Sequence, residues 1–257
     1  MNLDAYFARI GWRGPRSATG EVLAGLLAHH MRAIPFENFD VLLGAPPSLD
    51  LEALEDKLVT RRRGGYCYEH TTLLAAALEQ LGFAPKRHAA RVIMLTPKES
   101  APRTHMFLTL DGLVLDPGFG AIAPRSPVPI DGEAGAHRLV REGDERVLVF
   151  GDQRLWTSTC EPLPHIDFVM ANHFTATFPA SPFVNRIMAR AFTDDGEVRI
   201  SNRDVTRTRG GQTETFVLPD RRGLREVVAA HFGFDLPALD SVCVPSIPEW
   251  ASPPSWP

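Results

Sequence analysis

The sequence predicts an α+β fold: a helical region first, an antiparallel sheet or barrel next, and a mixed region last. Three observations predict it. The first third carries apolar residues at helical spacing. After Pro85 the pattern turns to short β-rich runs separated by Gly, Pro and Asp. The 20 glycines and 22 prolines exceed the usual share and disfavour a plain helical bundle. At 257 residues the chain can bury a substantial core as one or two domains.

Each element has a local reason. Thr19 is placed to cap a segment whose apolar positions include Val22, Leu23, Leu26 and Leu27, with Pro35 beyond its end. Ser48 or Asp50 is placed to cap a second, with Leu51, Leu54 and Leu58 on one face. A third runs from Cys67 to Leu81, with Leu73, Leu74, Ala77 and Leu78 in one stripe and Gly82 as its stop. The strand candidates are 90–95, 104–110, 113–115, 146–150 and 154–159. In the last third, 182–190 reads as a short helix, 197–201 and 213–218 as strands, and 224–232 as a helix ended by Gly233. From Val244 onward the chain reads as a proline-rich, irregular tail. No repeat or low-complexity linker interrupts it. The regions 1–84, 85–180 and 181–257 are therefore expected to pack into one unit.

Composition excludes several function classes. There are 27 Lys and Arg against 31 Asp and Glu, a formal charge of −4. No basic field exists to hold nucleic acid or an anionic membrane. The apolar run 73–78 is too short to span a bilayer. Asp4 and Arg9 interrupt the start, where a signal peptide needs an apolar core. Three widely spaced cysteines make no disulfide framework, so the expected setting is the reducing cytoplasm.

Cys67 lies in Arg63-Gly64-Gly65-Tyr66-Cys67, where the third helix should begin. A thiol at a helix N-terminus has its thiolate favoured by the dipole and free N–H groups. Those N–H groups also suit an oxyanion at a carbonyl joined to the sulfur. A buried structural cysteine is the equal alternative from this segment alone. A nucleophilic thiol needs a base. Thr104–Leu110 and Leu113–Asp116 flank Asp111-Gly112, a strong two-residue hairpin signal. In that register Leu110 faces Leu113 and Phe107 faces Asp116, so His105 and Asp116 are diagonal neighbours on one face. Diagonal positions are roughly 7–8 Å apart at the backbone, within reach of a His–Asp hydrogen bond. Such a carboxylate fixes the tautomer of a base. Nothing local says that this pair meets Cys67.

Arg63-Gly64-Gly65-Tyr66-Cys67, Thr104-His105 and Asp116-x-Gly118-Phe119-Gly120 together resemble the arylamine N-acetyltransferase family. So do Tyr6-Phe7-x-Arg9-Ile10-Gly11, Ile34-Pro35-Phe36-Glu37-Asn38 and Ser181-Pro182-Phe183. The motifs come in the family's order and are densest over residues 1–120. The resemblance implies an N-terminal helical bundle, a central antiparallel β-barrel and a C-terminal α/β lid around a cysteine-protease-like Cys-His-Asp core. It implies Cys67, His105 and Asp116 as the triad, and Phe36 and Phe119 as walls of an acceptor pocket. It implies an acetyl-CoA cosubstrate with no bound cofactor, and an arylamine, arylhydrazine or N-hydroxyarylamine acceptor. Acceptor identity, acyl preference and oligomeric state stay open. The sequence departs from the family at Tyr68 (usually Phe), Thr71 (usually Asn) and Pro117 (usually small and apolar). Pro117 has no N–H to give. Two rivals share the triad: an amide synthase of polyketide biosynthesis on the same fold, and a papain- or transglutaminase-like cysteine hydrolase.

Other marked residues read more plainly. Arg61-Arg62-Arg63 could meet coenzyme A phosphates but reads better as a solvated face or a helix C-terminal charge. Cys67-x-x-His70 resembles half a zinc site without a second pair at matching spacing, so no metal is expected. His29, His30, His88, His137, His165, His173 and His231 have no partner legible in the sequence. Cys160 and Cys243 read as structural thiols.

Overall fold

Helices fill the start of the chain, each with a recognisable start or stop. A computed structural model describes residues 1–253. In α1 (Leu3–Ile10) the Asn2 side chain accepts from the Ala5 N–H, and Gly11 ends the helix in the left-handed region. In α2 (Gly20–Ala33) the Thr19 hydroxyl accepts from the Val22 N–H at 3.4 Å. A short strand, β1 (Phe36–Glu37), precedes α3 (Phe39–Leu42). Asp50 stands at the start of α4 (Leu51–Leu54) without a side-chain cap. This helix does not continue regularly: 55–60 form a wider π-helical turn, which brings Lys57 into a buried cluster with Asp40 and Glu69. Finally, α5 (Cys67–Gln80) starts at the predicted residue. Leu26, Leu27, Leu54, Leu58, Leu74 and Leu78 close the core between these helices.

The middle of the chain is a nearly closed antiparallel barrel. Its strands are β2 (Lys86–Val92), β3 (His105–Leu110), β4 (Leu113–Leu115), β5 (Val128–Pro129), β6 (Glu133–Ala134), β7 (His137–Glu142), β8 (Glu145–Phe150) and β9 (Gln153–Ser158). The order is β5-β4-β3-β2-β9-β8-β7-β6. The Leu139 N–H donates to the Gly132 carbonyl near the seam. Phe107, Val114, Leu148 and Trp156 fill the interior. The hairpin has the predicted register, Leu110 opposite Leu113 and Leu108 opposite Leu115. Asp111 and Gly112 have φ of 49° and 77°, the pair of positive angles that a two-residue type I′ turn requires.

The sequence reading missed α6 (His165–Thr177). Its buried face is Phe168, Asn172, Thr175 and Ala176, while Ile166, Val169, Met170 and Phe174 point outward. The amphipathic pattern is inverted and gives no usable stripe. The helix expected over 182–190 stops early: α7 (Pro182–Asn185) gives way to β10 (Met188–Thr193). There Ala189 and Ala191 alternate inward on a second core, and strand pairing satisfies the backbone. Next come β11 (Gly196–Ser201), β12 (Asp204–Arg209) and β13 (Gln212–Val217), of which β12 was not anticipated. These form a second sheet, ordered β1-β10-β11-β12-β13, so a strand of the helical region lies in the sheet of the last third. The last helix, α8 (Arg221–His231), covers one face of that sheet with Leu224 and Val228. The last four residues of the predicted tail, 254–257, lie outside the described residues. No helix among the described residues is long and apolar enough to cross a membrane.

Candidate active site

Cys67 opens α5 and is buried at 2 % exposure. The Tyr66 N–H donates to Glu69 Oε2 at 3.0 Å, which closes the first turn around the thiol. Glu69 in turn accepts from Lys57 Nζ at 2.8 Å. Gly118 lies against the backbone of Cys67: a Cβ there would stand 2.4 Å from the Cys67 Cα. Only glycine lets the segment that follows β4 and carries Asp116 pass this close.

His105 begins β3 and Asp116 directly follows β4. His105 Nε2 donates to Asp116 Oδ2 at 2.9 Å, as the hairpin parity predicts. That bond leaves Nδ1 for the thiol. Burial works against a charge on the His105 ring, but the Asp116 carboxylate overrides it, aided by hydrogen bonding and charge from Cys67. The His105 pKa is pushed up to about 10. The structure therefore brings together the three residues picked from the sequence. A fourth was missed: Trp156 Nε1 donates to the same Asp116 Oδ2 at 2.8 Å, and its ring stacks on Phe107 at 4.4 Å. The other oxygen, Asp116 Oδ1, is buried and has no partner among the described residues. Pro117, beside it, has no N–H to offer.

Half-buried aromatic rings stand around the pair. Phe119 meets His105 edge-on at 4.9 Å between centroids. Phe36 packs in one cluster with Cys67, Tyr66 and Met106 and faces Phe183 at 6.5 Å. Two departures from the family pattern find partners. The Thr71 hydroxyl donates to the Met106 carbonyl at 3.1 Å, tying α5 to the residue after His105. The Tyr68 hydroxyl lies 3.4 Å from Thr175 Oγ1 on α6.

The arginine run is not a uniform solvated face. Arg63 is buried, with Nη2 at 2.7 Å from both Glu37 Oε1 and Asp40 Oδ1. Its partners stand more than 20 residues upstream, which a local reading of charge cannot see. Arg61 is exposed and pairs with Asp56. His70 faces away from Cys67. Its Nε2 donates to the Pro35 carbonyl at 3.1 Å, so its Nδ1 accepts from His30 Nε2 at 2.9 Å. His30 Nδ1 then accepts from the Tyr6 hydroxyl at 2.9 Å. Burial holds His70 down at about 4, so the chain is neutral and its tautomers are fixed.

Comparison with known proteins decides the family. A family model described as N-acetyltransferase matches residues 19–241. The arylamine N-acetyltransferase of Mycobacterium tuberculosis is 38% identical, covering 92% of this chain and 90% of the relative. An arylamine N-acetyltransferase / N-hydroxyarylamine O-acetyltransferase of Salmonella typhimurium is 36% identical, covering 90% of this chain and 88% of its own. The chain belongs to the arylamine N-acetyltransferase family. It is an acyltransferase. The structure of the Mycobacterium marinum arylamine N-acetyltransferase in complex with CoA superposes with a TM-score of 0.84 at 34% identity, over 93% of this chain and 94% of that one.

Within this acyltransferase, sequence reasoning also missed Arg190, whose guanidinium donates to the Gly120 carbonyl next to Phe119. Its only sequence signal was a charged residue alternating with buried alanines on what proves to be a strand.

Proposed function

We propose that the protein transfers an acetyl group from acetyl-CoA to an arylamine, arylhydrazine or N-hydroxyarylamine through a thioester on Cys67. The observation that carries this reading is the buried His105–Asp116 hydrogen bond of 2.9 Å beside the thiol at the start of α5. His105 holds the thiol proton, with Asp116 orienting the ring and balancing its charge. The Cys67 sulfur attacks the acetyl carbonyl carbon, and the oxyanion faces N–H groups of the first turn of α5, which a helix start leaves without an intrahelical partner. The bond to the coenzyme sulfur breaks, and CoA leaves as its thiol with the proton from His105. The acceptor nitrogen then attacks the acetyl-enzyme, gives its proton to His105, and releases Cys67. This is a double displacement on a Cys-His-Asp core of the cysteine-protease type.

Two features favour transfer over hydrolysis. Cys67 and His105 are 2 % and 3 % exposed, which keeps bulk water from the thioester. Phe36 and Phe119 offer aromatic walls that suit a flat aromatic amine. The test is to incubate the protein with acetyl-CoA and no acceptor, and look by mass spectrometry for acetyl on the Cys67 peptide. A panel of arylamines should then discharge it. An adduct that decays at the same rate with and without amine would point to a hydrolase instead.

A further inference from the structure

One face of the second sheet runs outward from the site and carries unbalanced positive charge. Phe36 stands opposite Arg190, Arg190 opposite Arg199, and Phe192 opposite Glu197. Opposed residues of antiparallel strands share a face, as do residues two apart. These five side chains therefore project together, while Ala189, Ala191, Val198 and Ile200 project the other way into the core under α8. Three guanidiniums converge on the single carboxylate of Glu197. Arg190 Nε lies 3.0 Å from Oε2, Arg125 Nη2 lies 3.4 Å from the same oxygen, and Arg199 holds Oε1. Arg190 and Arg125 also stack over the Phe192 ring at 3.9 and 4.3 Å. No second carboxylate pairs with any of the three among the described residues.

Three cations on one anion leave two charges uncompensated beside a partly buried surface. Burial and the positive charge of Arg125 and Arg199 outweigh Glu197 and bring Arg190 down to about 10. Arg190 is buried and bound to the Gly120 carbonyl, so it anchors the group to the loop that carries Phe119. The Arg125 and Arg199 side chains are 66% and 44% exposed and keep donors free. A guanidinium is a planar fork that suits phosphate oxygens. With strands about 4.8 Å apart, Arg199 stands roughly 10 Å along the sheet from Phe36. An aromatic amine held between Phe36 and Phe119 is too short to reach it; a charge at the end of a long flexible arm is not.

We propose that Arg125 and Arg199 form an anion subsite that takes the phosphate groups of the acyl donor, whose pantetheine arm lies over this sheet face toward Cys67. The proposal rests on the donor being acetyl-CoA. It is tested by the rate of Cys67 acetylation with four donors: acetyl-CoA, acetyl-3′-dephospho-CoA, acetyl-pantetheine and 4-nitrophenyl acetate. Wild type is compared with Arg125→Ala, Arg199→Ala and Arg199→Gln. Each variant should lose about tenfold in kcat/KM with acetyl-CoA, mainly through KM, the scale of one lost charge-assisted hydrogen bond. With acetyl-pantetheine, which has no phosphate, the loss should stay below about twofold, and wild-type rates with acetyl-CoA alone should fall steeply with salt. Equal losses with both donors, or none with acetyl-CoA, overturn the subsite. A loss confined to the acceptor half-reaction, seen with 4-aminobenzoate and not aniline, assigns the arginines to a carboxylate of the acceptor and also overturns it. Wild type that is acetylated by none of the four donors overturns the reading of Cys67 itself.

Discussion

A single side chain, Asp116, sets the state of the site. It accepts from both His105 and Trp156 on one oxygen. Asp116→Asn keeps the volume but can offer an N–H to the ring, favouring the wrong tautomer, and it cannot balance an imidazolium. The comparable change in serine proteases costs about 10⁴ in rate, and turnover of Asp116→Asn should fall by that order. More than about a tenth of wild-type activity remaining would remove Asp116 from its orienting role. The same pair predicts a pH dependence of stability. The folded pKa of His105 is about 10 against an ordinary 6.5, so its protonated form is favoured in the folded state. That contribution is complete below pH 6.5 and is lost as the pH rises through about 10. Calorimetric Tm of wild type should therefore fall more steeply over this window than that of Asp116→Asn; parallel curves would contradict the assignment. Alkylation gives a third residue-scale test. Cys160 and Cys243 are more exposed than Cys67, and burial raises the Cys160 thiol. Iodoacetamide should still modify Cys67 first, because among the described residues Cys67 is the cysteine that has a histidine, His105, beside it. Labelling in order of exposure would argue against an activated thiol.

At the scale of elements, the β3–β4 hairpin converts sequence parity into chemistry. His105 and Asp116 share a face because the Asp111-Gly112 turn has two residues. One glycine inserted after Gly112 shifts β4 by one residue and sends Asp116 to the opposite face. Two inserted glycines can restore parity by lengthening the loop, at slightly greater entropic cost. Acetyl transfer should fall further with one glycine than with two, and the reverse order in folded variants would refute the shared face. The hairpin was legible because its information is local: a turn dipeptide and alternation. The start of α5 was legible for the same reason, two glycines before an apolar stripe. That Cys67 meets His105 came from family resemblance alone, because no pattern within either element encodes their approach. Trp156 was illegible because it reaches Asp116 only through the pairing of β2 with β9, which sets Val92 opposite Trp156. Arg63 was misread because its carboxylates come from β1 and α3, and α6 was missed because its apolar residues face outward.

Over the whole molecule, the helical region and the second sheet are sewn together through one short segment. β1 leaves α2 and becomes the edge strand of the sheet that β10 continues. Next to it, Asn38 is 2% exposed. Its Nδ2 donates to the carbonyls of Phe183 and Arg186 at 2.8 and 2.7 Å, and its Oδ1 accepts from the Met188 N–H at 2.9 Å. Three backbone groups at the entry to β10 are thus satisfied by one side chain about 150 residues upstream. The same segment carries Phe36 to the site and Glu37 to Arg63. Its geometry therefore governs both the join and the pocket. In Asn38→Ala those three part-buried groups lose their partners, and an orphaned group costs about 1–3 kcal/mol where water does not reach it. Water entering the gap recovers part of this, so a loss of about 3 kcal/mol in unfolding free energy is expected. Urea melts followed by far-ultraviolet circular dichroism and by tryptophan fluorescence should coincide in wild type, since the pairing of β1 with β10 ties the helical region to the second sheet. In Asn38→Ala the fluorescence curve should divide into two steps, the sheet-and-helix region around Trp250 being lost before the barrel that holds Trp156. Coincident curves at an unchanged midpoint would mean that the two regions are joined by packing alone and that Asn38 holds neither.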